Sequence, residues 1–496
     1  MTLHTDCKAR HRRPGTVLIV SMLICFALAA TVLTLGRSVR VELATSSNLA
    51  ASIQAAAVER GAEQYVLAVL ADNQTAGSLP DLEESFYNQV PVGDGYFWVL
   101  RPDYGDTSMP LFGLVDESGK VNINSVDYDG LMKLPNMSTE LANAIVAYRG
   151  TTAGTTTNNS SNTATEPTQL GGGFYTKNSP FETVEELLMV QGATRELVYG
   201  NGSAGPLGQA SGGLTGGSGA SRGLMTDLAT ARGLYDYLTI YSPVPTPAAN
   251  AGGGGGGAAP APATTGPIDV NVVNQRDRLR EYLRTQLGNA RGDEVMNQIR
   301  PNDRFANLFA FYYQLALKPD EFDKVAGGIT VPPSTPRALV NVNTAPREVL
   351  LTIPGLETGD VDKLLAARPA VPGNSSGSFG TASSSSSSSD TTGPSISWVV
   401  SALERNKALQ IGNYISASTT RVSADILAVG ANGRAYKRVR IVIDVSGDAP
   451  QIIYRREITD RGWPLDPAIL DQVRDGQALV TTGAGLRGGA TGGTFR

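Results

Sequence analysis

The chain is nearly devoid of histidine and cysteine, and the few it has lie at one end. His4, His11 and Cys7 precede the first apolar run, and Cys25 lies inside it. Everything from Gly36 onward therefore lacks both residue types. That excludes cysteine nucleophiles, Ser/His/Asp triads, histidine bases and the usual zinc ligand sets from the remainder of the chain. Aromatic residues are sparse at 6%, and the formal net charge of −5 offers no basic surplus for nucleic acid or anionic lipid. No catalytic residues are assigned, and the expected reading is a non-enzymatic protein.

Glycine, by contrast, is abundant, with 56 among 496 residues. Much of it falls with Ser, Thr and Pro in five tracts: Thr151 to Gly173, Asn201 to Arg222, Ser242 to Pro267, Val371 to Pro394, and a tail from about Thr481. Gly252 to Gly257 and Ser383 to Ser389 are homopolymeric. Such segments have high backbone entropy and little apolar surface to offset it, so they read as linkers.

The N-terminus begins polar and basic, with Lys8, Arg10, Arg12 and Arg13 against Asp6. An uncharged run of 19 residues follows, Val17 to Leu35, long enough to cross a hydrocarbon core of about 30 Å. The basic flank predicts a cytoplasmic N-terminus and an exported remainder. The apolar run is too long for an ordinary cleaved secretory signal, which leaves a plain signal anchor or a pilin-like leader cut before the apolar segment. Arg12-Arg13-Pro14-Gly15 followed by Thr16-Val17-Leu18 has the second layout, which puts the cut between Gly15 and Thr16. Thr16 departs from the Phe or Met usual in that class. Helix formers continue to about Asp72, with Leu49, Ile53, Ala56 and Ala57, then Tyr65, Val66 and Val69, at helical spacing.

A short motif recurs downstream. Val121-Asn122-Ile123-Asn124-Ser125, Val270-Asn271-Val272-Val273-Asn274 and Val340-Asn341-Val342-Asn343-Thr344 each lead into a helical stretch, ending at Arg149, near Arg300 and at Arg368. In the third, Thr344 is placed to cap the helix, Pro346 suits its first turn, and Glu348 faces the positive end of the dipole. The first and third break at Leu134-Pro135-Asn136-Met137 and Ile353-Pro354-Gly355-Leu356 before second helices at 139–149 and 358–368, a helix-hairpin-helix outline. Thr183 and Glu186 have the spacing of a capping box after Pro180-Phe181. Residues from Asp425 to Val445 alternate with a turn near Asn432-Gly433 and read as an antiparallel hairpin, with Gln451 to Arg456 a further strand. The alternating Arg and Lys there suit a sheet buried on one face.

Asp127-Tyr128-Asp129-Gly130 imitates the middle of a calcium loop, so Asp127 and Asp129 are the metal candidates. Ser125 and Asn136 stand where the loop needs acidic ligands, and the competing reading is an ordinary helix start.

In their order, these parts resemble the general secretion pathway protein K family, the minor pseudopilin of type II secretion. The resemblance rests on the leader and apolar helix, Asp116-Glu117-Ser118-Gly119-Lys120-Val121-Asn122-Ile123-Asn124, Pro180-Phe181 with Val184-Glu185-Glu186-Leu187, Leu238-Thr239-Ile240-Tyr241, Val342-Asn343-Thr344-Ala345-Pro346, and the C-terminal strand pair. It covers roughly residues 12 to 460, and the segment from Ile268 to about Pro333 departs from it as extra helical sequence.

The resemblance implies an α+β, pilin-like fold: a long N-terminal transmembrane helix and an antiparallel sheet, with an inserted, mostly helical domain that contains the helix-hairpin-helix-like units. The corresponding division is a leader at 1–15, an N-terminal helix at 16–72 with 16–35 in the membrane, and the start of the α/β domain at 73–115. The insertion at 116–335 and a helix-hairpin-helix-like unit at 336–370 follow, then a Ser-rich linker at 371–395, C-terminal strands at 396–460 and a tail at 461–496. It also implies single-pass placement in the inner membrane with the domain in the periplasm, a tip position in the pseudopilus, and support of protein export across the outer membrane. The implied partners are minor pseudopilins of the I and J types, the major pseudopilin and prepilin peptidase, with no nucleic acid. Calcium is implied in the inserted domain, without ligands that map here residue by residue. Most pilin-like subunits carry Glu at the fifth position of the mature helix; counted from Thr16, that position is Val20. The rival from another class is a membrane-anchored helix-hairpin-helix DNA-binding protein of a competence-like system. Asn136, Ser138 and Glu357 stand where such hairpins need small residues, and Glu357 would repel phosphate.

Overall fold

The computed structural model describes residues 15–72, 77–80, 84–102, 104, 111–150, 169–171, 174–200, 232–245, 267–300, 302–333, 337–369, 395–431, 433–447 and 449–475. The Gly-, Ser- and Thr-rich tracts, including Gly252 to Gly257, Ser383 to Ser389 and the tail from Thr481, lie almost wholly outside the described residues, as do residues 1–14 and Asn432.

Helix α1 (Gly15–Asp72) runs unbroken for 58 residues, about 87 Å at 1.5 Å per residue. Its first part is apolar on every side and exposed from Leu18 to Leu35. With a mean hydropathy of 2.6 in its most apolar stretch, α1 is long and apolar enough to cross a membrane once. The second part buries one stripe, Ala51, Ala55, Val58, Ala62, Val66 and Leu70, at steps of three or four residues. Of the expected positions, Val66 lies on this stripe and Tyr65 packs beside it, while Leu49 and Ile53 are 60% and 61% exposed and Ala57 is also exposed. Small residues win the contact face because helix and sheet nearly touch there. A Cβ on Gly95 would lie 2.4 Å from the Val429 carbonyl oxygen and 2.6 Å from Val58.

The sheet under α1 draws strands from both halves of the chain. Its order is Val90–Val92, Gly95–Arg101, Arg421–Val429, Tyr436–Asp444, Gln451–Glu457, all antiparallel, with Leu111–Phe112 and Val115–Asp116 pairing at the margins. The expected C-terminal hairpin is present, with Arg421 opposite Asp444 and Val429 opposite Tyr436, and Gly433 takes φ +59° in its turn. Alternation assigns the two faces. Val422, Ala424, Ile426 and Ala428, with Val439, Ile441 and Ile443, face α1. On the other face Leu427 and Val429 pack with Trp98 on Trp463, Leu465, Leu470 and Val473 of the C-terminal segment. The expectation of one solvated face is corrected: Arg438 is 9% exposed, and Arg440 is held in an ion pair beneath the rest of the chain.

Between the strands Val115–Asp116 and Arg421–Val429 the chain leaves the sheet and builds a second, larger core, which runs from Val121 to Ile415. Helices Trp398–Ala402 and Arg405–Ile411, grouped by sequence with the C-terminal strands, belong to this core through Val399, Ala408 and Ile411. The molecule is thus α+β, with α1 and an antiparallel sheet carrying a mostly helical insertion.

Candidate functional site: repeated units and their charged junction

The insertion contains one structural unit three times. Each opens with a two-residue strand, continues through two pairs of helices, and closes with a two-residue strand that returns parallel to the first. In the first unit Val121–Asn122 pairs with Leu238–Thr239; in the second, Ile268–Asp269 with Ile329–Thr330; in the third, Val340–Asn341 with Ile415–Ser416. The ladder bonds are equivalent in all three, Val121, Ile268 and Val340 donating N–H to the carbonyls of Tyr237, Gly328 and Tyr414.

Two side chains fix each unit. The first closes a local turn: Asn122, Asp269 and Asn341 accept from the backbone N–H two residues on, at 2.9, 2.9 and 3.0 Å. The second is an asparagine that grips distant chain. Asn124 Nδ2 donates to the Phe181 carbonyl and its Oδ1 accepts from Phe181 N–H, at 3.0 and 2.7 Å. Asn271 makes the same pair with Phe305, at 2.9 and 2.8 Å. Asn343 donates to the Ser395 carbonyl and accepts from Trp398 Nε1. An amide side chain suits this work because it offers a donor and an acceptor side by side, matching one backbone residue.

The geometry corrects the sequence alignment of the second copy. Ile268-Asp269-Val270-Asn271 occupies the equivalent positions, two residues upstream of the Val270–Asn274 motif, and Asn274 is exposed. The first and third copies match as expected, and residues 121–149 correspond one to one with 340–368. Arg149 and Arg368 sit at the ends of their second helices and reach back to the corresponding carbonyls of Val126 and Ala345, at 2.5 and 2.7 Å. Burial depresses both guanidinium pKa values, that of Arg368 to about 10. The hairpins also correspond, Asn136 with φ +59° and Gly355 with φ +91°. The capping-box prediction at Thr183 is met, its N–H donating to Glu186 at 3.2 Å, although Val184–Met189 is a 3-10 helix. Thr344, expected as a helix cap, instead donates its hydroxyl to Asp116 at 2.6 Å, and Pro346 takes the cap position.

That bond belongs to the junction between sheet and insertion, built on Asp116-Glu117-Ser118-Gly119-Lys120. Asp116 receives Asn341, Thr344 and Thr419 side chains on one oxygen and the Ser118 N–H on the other. Burial raises its pKa, and these four donors oppose the rise. Glu117 is 1% exposed and accepts from Lys120 at 3.0 Å, Arg440 at 2.8 Å, and Ser423 and Thr239 each at 2.5 Å. Burial alone would lift this carboxyl, but Lys120 and Arg440 outweigh it and hold the pKa at about 2. Beside it Arg438 pairs with Asp425 at 2.6 Å, and Arg440 and Arg461 stack on the Tyr235 ring at 4.4 and 4.5 Å. Sequence reading picked out the 116–124 motif without foreseeing that its charges meet strand residues about three hundred positions away. The signal lay in the polar positions that alternate along Arg421–Val429 and Tyr436–Asp444.

The remaining sequence-predicted sites stand apart from this junction. Gly15 and Thr16 are the first residues of α1, and Val20 lies on its exposed apolar part. Asp127 caps the helix Tyr128–Met132, its carboxylate accepting the Gly130 N–H at 2.8 Å, and Asp129 lies in that helix's first turn. Among the described residues no three His, Cys, Asp or Glu side chains gather around a common point. The geometry shown for Asp127 is that of a helix cap. The second hairpin is covered by its own chain: Lys407 Nζ donates to the Gly355 carbonyl at 2.9 Å and pairs with Asp360 at 3.1 Å.

Residues 340–397 match the family model described as type II secretion system (T2SS), protein K. The match supports assignment to the protein K family. A comparison with curated proteins found no match. The protein K segment starts at the opening strand of the third unit and extends to Ser397, whose N–H is held by Asp323 of the second unit at 2.9 Å. It includes Asn341 and Asn343, the turn and clamp residues described above. The matched segment covers 58 of the chain's 496 residues.

Proposed function

We propose that this chain is a structural minor pseudopilin at the tip of a type II secretion pseudopilus, anchored in the inner membrane by the first part of α1. The observation that carries the reading is the protein K match within an insertion whose two ends are cemented into a helix-and-sheet domain. The helix-and-sheet domain is then the pilin-like part, and the paired helices of the insertion are its helix-hairpin-helix-like units. The leader Arg12-Arg13-Pro14-Gly15 before Thr16 supports cleavage by prepilin peptidase, with the basic flank in the cytoplasm and the domain in the periplasm.

Two features favour the tip. A subunit that must follow another brings a carboxylate into the bilayer to meet the previous subunit's amine; unpaired, it costs about 2.5–3.5 kcal/mol on insertion scales. Val20 brings none, so this chain can receive a neighbour without needing one above it. The insertion between Asp116 and Arg421 is also bulkier than the sheet that carries it, and repeating it along a thin filament would crowd successive subunits. Minor pseudopilins of the I and J types and the major subunit below them are the proposed partners. DNA binding is disfavoured, because Gln410 packs against Gly355 and the exposed Glu357 of the same hairpin would repel phosphate.

The test is stoichiometry. Purified pseudopili should carry this subunit at about one copy per filament end, located by labelling its periplasmic domain. Distribution along the shaft in numbers like those of the major subunit would defeat the tip assignment.

A further inference from the structure

Where α1 leaves the membrane-spanning stretch and settles on the sheet, it carries two carboxylates one turn apart, Glu59 and Glu63. They are 2% and 8% exposed. Both reach one guanidinium: Arg455, on the outermost strand Gln451–Glu457, donates Nη2 to Glu59 at 2.8 Å and Nε to Glu63 at 2.6 Å. The two acids are buried while the Arg455 side chain is 45% exposed at the sheet edge, and two acids against one base leave one negative charge uncompensated when both acids are ionised. Among the described residues, Arg455 is the one cation that acts on Glu59. The strands Arg421–Val429 and Tyr436–Asp444 turn apolar side chains to α1, among them Val439, Ile441 and Ile443, and Gly95–Arg101 presents Phe97 and Val99. Tyr65, two residues beyond Glu63 on α1, packs edge-on against Phe97. Arg60 lies between the two acids in sequence but on the exposed side of the helix.

We propose that Glu59 is a proton-operated clasp, protonated when α1 is held tightly against the edge strand and ionised when that hold loosens. In the closed form the protonated Glu59 shares its hydrogen with Glu63, while Glu63 and Arg455 form a balanced pair. Loss of the proton to solvent puts a second anion beside Arg455, and repulsion between residues one turn apart opposes the contact. The clasp joins the far edge of the sheet to the helix that continues into the apolar segment, so its state sets how firmly the domain sits on its anchor.

Burial, then the neighbouring Glu63, raise the Glu59 carboxyl from 4.5 to about 7 against the opposing pull of Arg455. A carboxyl raised on folding stabilises the folded state fully below its unfolded value. That contribution fades as pH rises and is gone above the folded value, so the window runs from 4.5 to about 7.

The experiment uses the full chain in detergent micelles, labelled with 13C-carboxyl glutamate so that the buried Asp116 and the other aspartates stay silent. A glutamate signal titrating near 7, and missing from Glu59→Gln, is expected. Thermal unfolding should fall from pH 5 to pH 8 more steeply in the wild type than in Glu59→Gln. Should Glu59→Gln fail to fold, Glu63→Gln serves as the second variant, and its remaining glutamate signal should move back toward 4.5. Wild-type glutamates that all titrate near or below 4.5 overturn the proposal, as do identical pH profiles of wild type and variant.

Discussion

At the scale of single residues, the insertion depends on a few polar side chains that could not be replaced by apolar ones of similar size. Glu117 is the clearest. Glu117→Ala would leave Lys120 and Arg440 as buried cations without their counter-charge, a loss of about 3–5 kcal/mol; chemical denaturation of the variant should show it. Because the Glu117 carboxyl is held at about 2, its contribution is fully present above the unfolded value of 4.5. It is lost as pH falls from 4.5 towards 2, and an acid-unfolding curve should steepen there in the wild type alone. The clamp asparagines give a sharper discrimination. Asn124→Ala, Asn271→Ala and Asn343→Ala should each cost about 1–3 kcal/mol through backbone groups left unpaired. Asn274→Ala should cost less than about 0.5 kcal/mol, as expected of an exposed position. Urea unfolding midpoints check this series, and a large effect at Asn274 would reject the alignment of the second unit. The motif Val-Asn-x-Asn was legible in sequence for the first and third units. In the second, an aspartate fills the turn position, and the nearby Val272-Val273-Asn274 imitates the motif, so pattern alone chose the wrong copy.

At the scale of elements, the long helix, the C-terminal hairpin and the two helix pairs were legible because each is local. The run of helix formers ends where α1 ends, and alternation marks the strands Arg421–Val429 and Tyr436–Asp444. What was not legible is which face each element buries. Leu49 and Ile53 looked like core by hydrophobicity, yet Ala51, Ala55 and Ala62 are the contacts, since close approach to the sheet rewards small side chains over large ones. Thr344 looked like a cap by position, and a buried aspartate from another part of the chain claimed its hydroxyl. The hairpins follow backbone conformation instead. Gly355 has φ +91°, so Gly355→Ala should cost about 1–2 kcal/mol in left-handed strain, and Gln410 would have to move away. A thermal shift of that variant without loss of helix by circular dichroism is the expected result.

At the scale of the whole molecule, the domain that sits on α1 is assembled from two ends of the chain, with three repeated units inserted between neighbouring strands of one sheet. That arrangement gives a protein K family match within the insertion a defined place: it is carried on the sheet, and the sheet on the helix. The central claim is that this helix belongs to a processed pseudopilin and not to a plain signal anchor. Removing a leader with four basic residues and one acidic residue also takes the net charge from −5 to −8. The most direct measurement is the N-terminal mass and sequence of the mature protein extracted from membranes. The account predicts a chain beginning at Thr16, with Gly15→Ala blocking maturation while leaving membrane insertion intact; an intact Met1, or a cut after Leu35, would contradict it.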